Sequence, residues 1–299
     1  MGPAAAIAVF VYKRAEHTRR LLHSLLRNPL ARQSAIAIYC DGPRNEDEAD
    51  AVRQARAVVR ELAPAQARIV ERERNLGLAP SIIAGVTETV GAYGRVIVLE
   101  DDLELSPVAL DYFNAALERY RDEERVMHVA GYMYPVGAAL PESFFYREAT
   151  CYGWATWTRA WRHFEPDGRR ILDAVRERGA RREFDAGGSI DFTGMLEAQI
   201  AGRVDSWAIR WYGSLWLQGG LALHPGHSLV RNTGFDGSGE HSGATEAYAV
   251  ELGSEPVQRF PDAIEEDATA LQAMIAYRRR VARQQKLGAL GRAWRRWTA

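Results

Sequence analysis

The sequence predicts an α/β chain with one mostly parallel central sheet flanked by helices, a single domain that runs into a helical C-terminal tail. Two observations lead there. Short apolar runs alternate with helical patterns through the first 130 residues, the β-α-β-α rhythm of a doubly wound sheet. One of those runs, Val96-Ile97-Val98-Leu99, is apolar throughout, as a strand covered on both faces requires. It leads straight into three consecutive carboxylates, Glu100-Asp101-Asp102.

The elements follow in order. Strands are expected at Ala5–Tyr12, Ala35–Cys40, Arg68–Glu71, Arg95–Leu99 and Val126–Ala130. Between the first two, Leu21, Leu22, Leu25 and Leu26 share one face of a helix that Pro29 ends. A second helix is expected over Glu46–Leu62, with acids in its first turn and Arg60 near its end, as the helix dipole favours. Pro80 suits the first turn of a third, Ala79–Val90. Ser106-Pro107 reads as a cap and a first-turn proline, opening a helix with Leu110, Phe113 and Leu117 inward.

Beyond residue 140 the regularity fades. Tyr152–Trp161 holds three tryptophans, and Asp205–Trp216 holds three more together with Arg210. His227–Gly243 is glycine-rich loop chemistry, and Ala263–Thr298 reads as one or two helices. We therefore divide the chain into a domain over 1–260, with halves 1–130 and 131–260, and a tail over 261–299. From Arg278 onward the tail has eight basic residues and no acid, with Trp294 and Trp297 near its end.

Composition narrows the function classes. A net charge of −1 gives no global attraction to nucleic acid. Cys40 and Cys151 offer neither a disulfide framework nor zinc spacing, and point to a reducing compartment. No signal peptide and no spanning helix are expected. Arginine supplies nearly all the positive charge, which suits a GC-rich bacterial genome. The glycine-rich dinucleotide fingerprint and the P-loop pattern are both missing, against a nicotinamide dehydrogenase or a P-loop ATPase.

In doubly wound sheets ligands gather beyond the carboxyl ends of the strands. Those ends read Lys13-Arg14, Asp41-Gly42, Asn75-Leu76-Gly77 and Glu100-Asp101-Asp102, so cations, an amide and an acidic cluster are expected on one rim. A run of like charge is ordinarily a solvated face. At the end of a buried strand, hard oxygen donors in a row suit Mg²⁺ or Mn²⁺ instead.

The segment Val98-Leu99-Glu100-Asp101-Asp102-Leu103-Glu104-Leu105-Ser106-Pro107, followed by Tyr112-Phe113, resembles the metal-binding segment of GT-A fold glycosyltransferases. Within them it is similar to the N-acetylglucosaminyltransferase I family. Val9-Phe10 with Arg14, and Tyr152-Gly153-Trp154, share that likeness. The Asp205-Ser206-Trp207…Trp211 and Asn232…His241 segments look more like bacterial family-2-type sugar transferases.

The resemblance implies a GT-A (Rossmann-like) fold and a metal-dependent, inverting hexosyl or N-acetylhexosaminyl transferase. It would use a nucleotide-sugar, a UDP-sugar by expectation, and a glycan or lipid-linked glycan as acceptor, with Mn²⁺ or Mg²⁺ as cofactor. Arg14 would face the diphosphate, Asp41 the uracil ring, and Asn75 and Gly77 the base or ribose. Glu100 and Asp101 would hold sugar hydroxyls, Asp102 the metal, and His241 the metal or a phosphate.

An inverting transfer needs a carboxylate base, for which Asp205 is the first candidate and Asp191 the second. The resembled family places its base just after the first of two tryptophans. Here Trp207-Ala208-Ile209-Arg210-Trp211 has no acid. The tryptophans are expected either to lay an acceptor sugar across an indole face or to fill core. The basic tail reads as a solvated face or as a peripheral contact with an anionic membrane. That places the protein in the cytoplasm, or on the inner face of its membrane. A non-catalytic nucleotide-sugar or carbohydrate-binding module and a sugar-1-phosphate nucleotidyltransferase are the competing readings. The latter usually opens with a glycine-rich loop, where this chain has Val11-Tyr12-Lys13-Arg14.

Overall fold

In the computed structural model, which describes residues 3–236 and 247–297 with side chains to 284, the first apolar run becomes β1 (Ala6–Val11). All six of its residues are buried, because strands pair on both of its edges. It is followed by α1 (Ala15–Leu26), β2 (Ile36–Cys40), α2 (Glu46–Leu62), β3 (Arg68–Glu71), α3 (Leu78–Tyr93) and β4 (Arg95–Glu100). The four strands are parallel in the order β3-β2-β1-β4, with Ala8 opposite both Ala37 and Val98. Helix α2 starts where the sequence places it: Asn45 accepts from the Glu48 amide at 3.1 Å, and three acids occupy the first turn.

A short β5 (Leu103–Leu105) leads to α4 (Ala109–Arg119). Ser106 is not this helix's cap. Its Oγ accepts from the Val108 amide at 3.3 Å and donates to the Gly253 carbonyl, and Val108 occupies the cap position. The chain continues through β6 (Val126–Ala130), β7 (Ser143–Tyr146), β8 (Trp154–Trp157) and α5 (Thr158–Trp161). Then come α6 (Gly168–Glu177), α7 (Arg181–Phe184), α8 (Phe192–Ile200), α9 (Trp207–Leu217), β9 (Leu221–Pro225) and β10 (Val230–Asn232), and finally α10 (Ala268–Trp297).

The sheet has eight strands in the order β3-β2-β1-β4-β8-β6-β9-β7. Only β8 and β7 run against the rest. The expected mostly parallel sheet with flanking helices is therefore present. A separate two-stranded ribbon pairs β10 antiparallel with β5, and sets Arg231 opposite Glu104 and Asn232 opposite Leu103.

The main core lies along the sheet, and a satellite core lies where Ile171, Leu172, Phe184, Leu196, Tyr212 and Trp216 join α6 to α9. The tryptophans of 152–161 and 205–216 belong to these cores. Trp154, Trp207, Trp211 and Trp216 are each at most 6% exposed, and Trp154 stacks on Trp207 with centroids 5.3 Å apart. None can spread a sugar across an open indole face. His128 sits among them in its neutral form, accepting from the Trp211 indole N–H at Nδ1 (3.1 Å) and facing the Thr150 carbonyl through Nε2 (3.1 Å). Burial pushes its pKa down to about 3.

The first half of α10 is docked on the body of the protein. Ala270, Met274, Tyr277 and Val281 are buried, and Arg278 is only 8% exposed against a Glu148 that is 7% exposed. Arg278 also donates to the Tyr146 hydroxyl at 3.2 Å, and Tyr134 donates to the other Glu148 oxygen at 3.1 Å. The first basic residue of the tail is thus an internal anchor, neither solvated nor available to a membrane, while Arg279, Arg280 and Arg283 are exposed. No helix of the described residues is long and apolar enough to cross a membrane.

Candidate active site

The carboxyl ends of β1, β2, β3 and β4 bring the expected residues to one rim. Beyond β1 the chain turns into α1 through Tyr12, Lys13 and Arg14. The Arg14 guanidinium pairs with Asp101 and lies 3.1 Å from Asp102 Oδ2. These two acids hold its proton more tightly than usual despite partial burial. Lys13 is 2.5 Å from Glu48 on α2, which also accepts from the Tyr12 hydroxyl. Those two donors pull the Glu48 carboxyl down to about 2. Glu48 was not a sequence-level candidate, because its place in a helix's first turn already accounted for an acid there.

The three acids of the triplet have different positions and partners. Asp101 turns inward. It is 4% exposed, pairs with Arg14, and accepts from the Tyr12 amide at 3.2 Å. It braces β4 against β1, so its carboxylate is engaged within the protein. Glu100 ends β4 opposite Phe10, and among the described residues its carboxylate has no hydrogen-bond or ion-pair partner. Burial first, and then the charges of Asp102 and Asp101, push its pKa up to about 8. Asp102 keeps part of its side chain open, while its backbone carbonyl accepts from the Thr233 amide (2.7 Å) and hydroxyl (2.9 Å).

That anchorage follows from the β5–β10 ribbon, whose register delivers Thr233 opposite Asp102. A Cβ at Gly234 would crowd the Asp102 carboxylate and displace it. Thr233 and Gly234 were visible in sequence only as loop chemistry. His241, the further metal or phosphate candidate, lies outside the described residues.

Asp41, Asn75 and Gly77 are brought together as a loop scaffold. The Asp41 carboxylate accepts from the amides of Gly42 (3.0 Å), Leu76 (3.0 and 3.1 Å) and Gly77 (3.2 Å), and the residue is only 7% exposed. The Asn75 amide donates to the Gly42 carbonyl at 2.8 Å. Gly77 has φ +83 as it enters α3, a conformation that favours glycine. With its carboxylate engaged in this way, Asp41 shapes the loop and presents little to a nucleobase.

Of the two candidate bases, Asp205 stands by this loop, its Oδ2 3.8 Å from where a Gly77 Cβ would lie and its Oδ1 3.8 Å from Arg210. The structure does not bring Asp191 to the rim group. It accepts from the Gly194 amide at 3.0 Å as the cap of α8, and pairs with Arg181 at 3.5 Å.

At this rim Lys13 pairs with Glu48, while Arg14 pairs with Asp101 and stands beside Asp102. Among the described residues no three of His, Cys, Asp and Glu gather to hold an ion by themselves. Magnesium-like ions commonly take one or two carboxylates and complete their shell with substrate phosphates and water. Asp102 fits such a shared ion.

No protein-family model matches the chain, and no curated protein matches it. Among solved structures, a mannosyltransferase from Pyrobaculum calidifontis in complex with GDP-Man and Mn²⁺ overlaps 72% of this chain and 74% of its own. Its identity is 13% and its TM-score 0.39. GalNAc-T7 with UDP, GalNAc and Mn²⁺ overlaps 76% of this chain but 43% of its own, at 11% identity and a TM-score of 0.47. These overlaps are too loose to carry a functional assignment.

Proposed function

We propose that the chain is a glycosyltransferase that moves a sugar from a nucleotide-sugar to a hydroxyl of a glycan or lipid-linked glycan, with a divalent ion, Mn²⁺ or Mg²⁺, at Asp102. The observation that carries this reading is the pairing of Arg14 with Asp102 at the end of β4, where the Asp102 side chain stays partly open. The sequence likeness of the same segment to GT-A transferases agrees with it.

In this reading Arg14 donates to phosphate oxygens of the departing nucleoside diphosphate, whose negative charge grows as the glycosidic bond breaks. Asp102 would hold the ion, which when bound supplies the remaining charge neutralisation. The Asp41–Asn75–Gly77 loop fixes the nucleoside end. Asp205 is the candidate general base of an inverting transfer, and its carboxylate would take the acceptor's hydroxyl proton. The donor belongs to the UDP class by sequence likeness.

The test is nucleotide binding followed by turnover. UDP-sugars with Mn²⁺ should raise the melting temperature and release UDP slowly by hydrolysis. Asp102→Asn should weaken the Mn²⁺-dependent binding about tenfold or more and abolish release. Binding without any turnover, even with glycan acceptors, would replace the transferase by a binding module. No response to any nucleotide would end the proposal.

A further inference from the structure

Beside the acidic rim stands a cluster of aromatic rings that divides into two layers. The front layer is Tyr152, Phe235 and Tyr248, all half-buried. Phe235 follows the Thr233 that is bonded to Asp102, and it meets Tyr152 edge-on at 5.8 Å and Tyr248 at 5.1 Å. The back layer is Tyr132, Tyr134 and Tyr277. Tyr132 is fully buried and donates to the Tyr248 carbonyl at 2.9 Å, and its ring meets Tyr152 at 5.2 Å. Tyr134 donates to Glu148, and Tyr277 of α10 donates to the Ala247 carbonyl.

The hydroxyls separate the layers by purpose. Every phenol of the back layer is bonded within the protein, as buried polar groups must be. Among the described residues neither the Tyr152 nor the Tyr248 hydroxyl has a hydrogen-bond partner. A front of part-open rings, with two hydroxyls uncommitted among the described residues, matches a ligand with one apolar face and a rim of hydroxyls, which describes a pyranose ring. The fully buried tryptophans cannot supply this surface.

We propose that Tyr152, Phe235 and Tyr248 form the acceptor wall, a stacking surface that holds a carbohydrate acceptor beside the donor at Arg14 and Asp102. The assignment rests on the glycosyltransferase reading. The back-layer tyrosines and α10 are positioning elements that hold the wall from behind.

The experiment follows N-acetylglucosamine, methyl mannoside and maltose by saturation-transfer NMR on the full chain, with diamagnetic Mg²⁺ and UDP present. At least one sugar should bind. Its affinity should fall about tenfold in Tyr152→Ala and in Tyr248→Ala, as expected for uncovering a ring face. It should fall about threefold in Tyr152→Phe and Tyr248→Phe, which keep the ring and lose one hydrogen bond. Tyr93→Ala, an exposed tyrosine at the far end of α3, should change nothing. The UDP-dependent rise in melting temperature should persist in every variant.

Sugar binding unchanged in the Ala variants overturns the wall, as does UDP binding by a wild-type chain that takes none of the sugars. If the Ala variants fail to fold, unchanged binding in the Phe variants overturns it equally. Loss of the UDP response in the wild type removes the transferase reading instead.

Discussion

Replacing Arg278 by Met tests whether the C-terminal helix is part of the domain. The guanidinium and its Glu148 partner are 8% and 7% exposed, so solvent screens their pairing little. Arg278→Met removes the charge and leaves the Glu148 carboxylate buried with only the Tyr134 hydroxyl on its side chain. Breaking a buried pair from one side costs about 3–5 kcal/mol, whereas replacing both partners with apolar groups is often near neutral. In urea unfolding the single variant should therefore lose about 3–5 kcal/mol. Arg278→Met combined with Glu148→Leu should recover most of that loss, apart from the Tyr134 hydrogen bond. Docking also depends on Met274 and Tyr277, so the single variant should expose α10 to proteolysis before the sheet unfolds. A single-variant cost below about 1 kcal/mol, with α10 still protected, would refute the anchoring argument.

Two further outcomes follow. Asp41→Ala leaves the Leu76 and Gly77 amides without their acceptor, and should cost about 2–4 kcal/mol in urea unfolding while weakening nucleotide binding through the loop. Asp41→Asn, which keeps one acceptor oxygen, should cost clearly less in the same assay. His128 has a folded pKa of about 3 against an ordinary 6.5, so between those values the unfolded chain binds the extra proton. The His128 share of stability should consequently fall by about 1.4 kcal/mol per pH unit below pH 6.5, read as the difference in urea-unfolding slope between wild type and His128→Leu from pH 7 to 5, while Glu100, its pKa raised, acts in the opposite sense.

The first 130 residues were legible because their strands are largely buried and Glu46–Leu62 begins on a recognisable cap and acidic first turn. Val126–Ala130 and Glu46–Leu62 lie where the pattern puts them, and the remaining expected strands agree within a residue at each end. The second half was not, because its order comes from rings packing on rings rather than from a period. Trp154 on Trp207 and Tyr132 on Tyr152 are distant in sequence and leave no spacing to read. The triplet illustrates the same limit within the site. Three consecutive acids mark the place, but which one turns to Arg14 and the Tyr12 amide is decided by the path of the backbone after β4. Glu148 and Arg278 stand 130 residues apart, and neither has a local pattern to announce the other.

Because β8 lies antiparallel between β4 and β6, its beginning, not its end, arrives at the rim where β4 runs into Glu100. Lengthening the connection between β7 and β8 would therefore reshape that rim. An equal insertion after Trp157, opposite Arg95 at the far margin of the sheet, should leave it untouched.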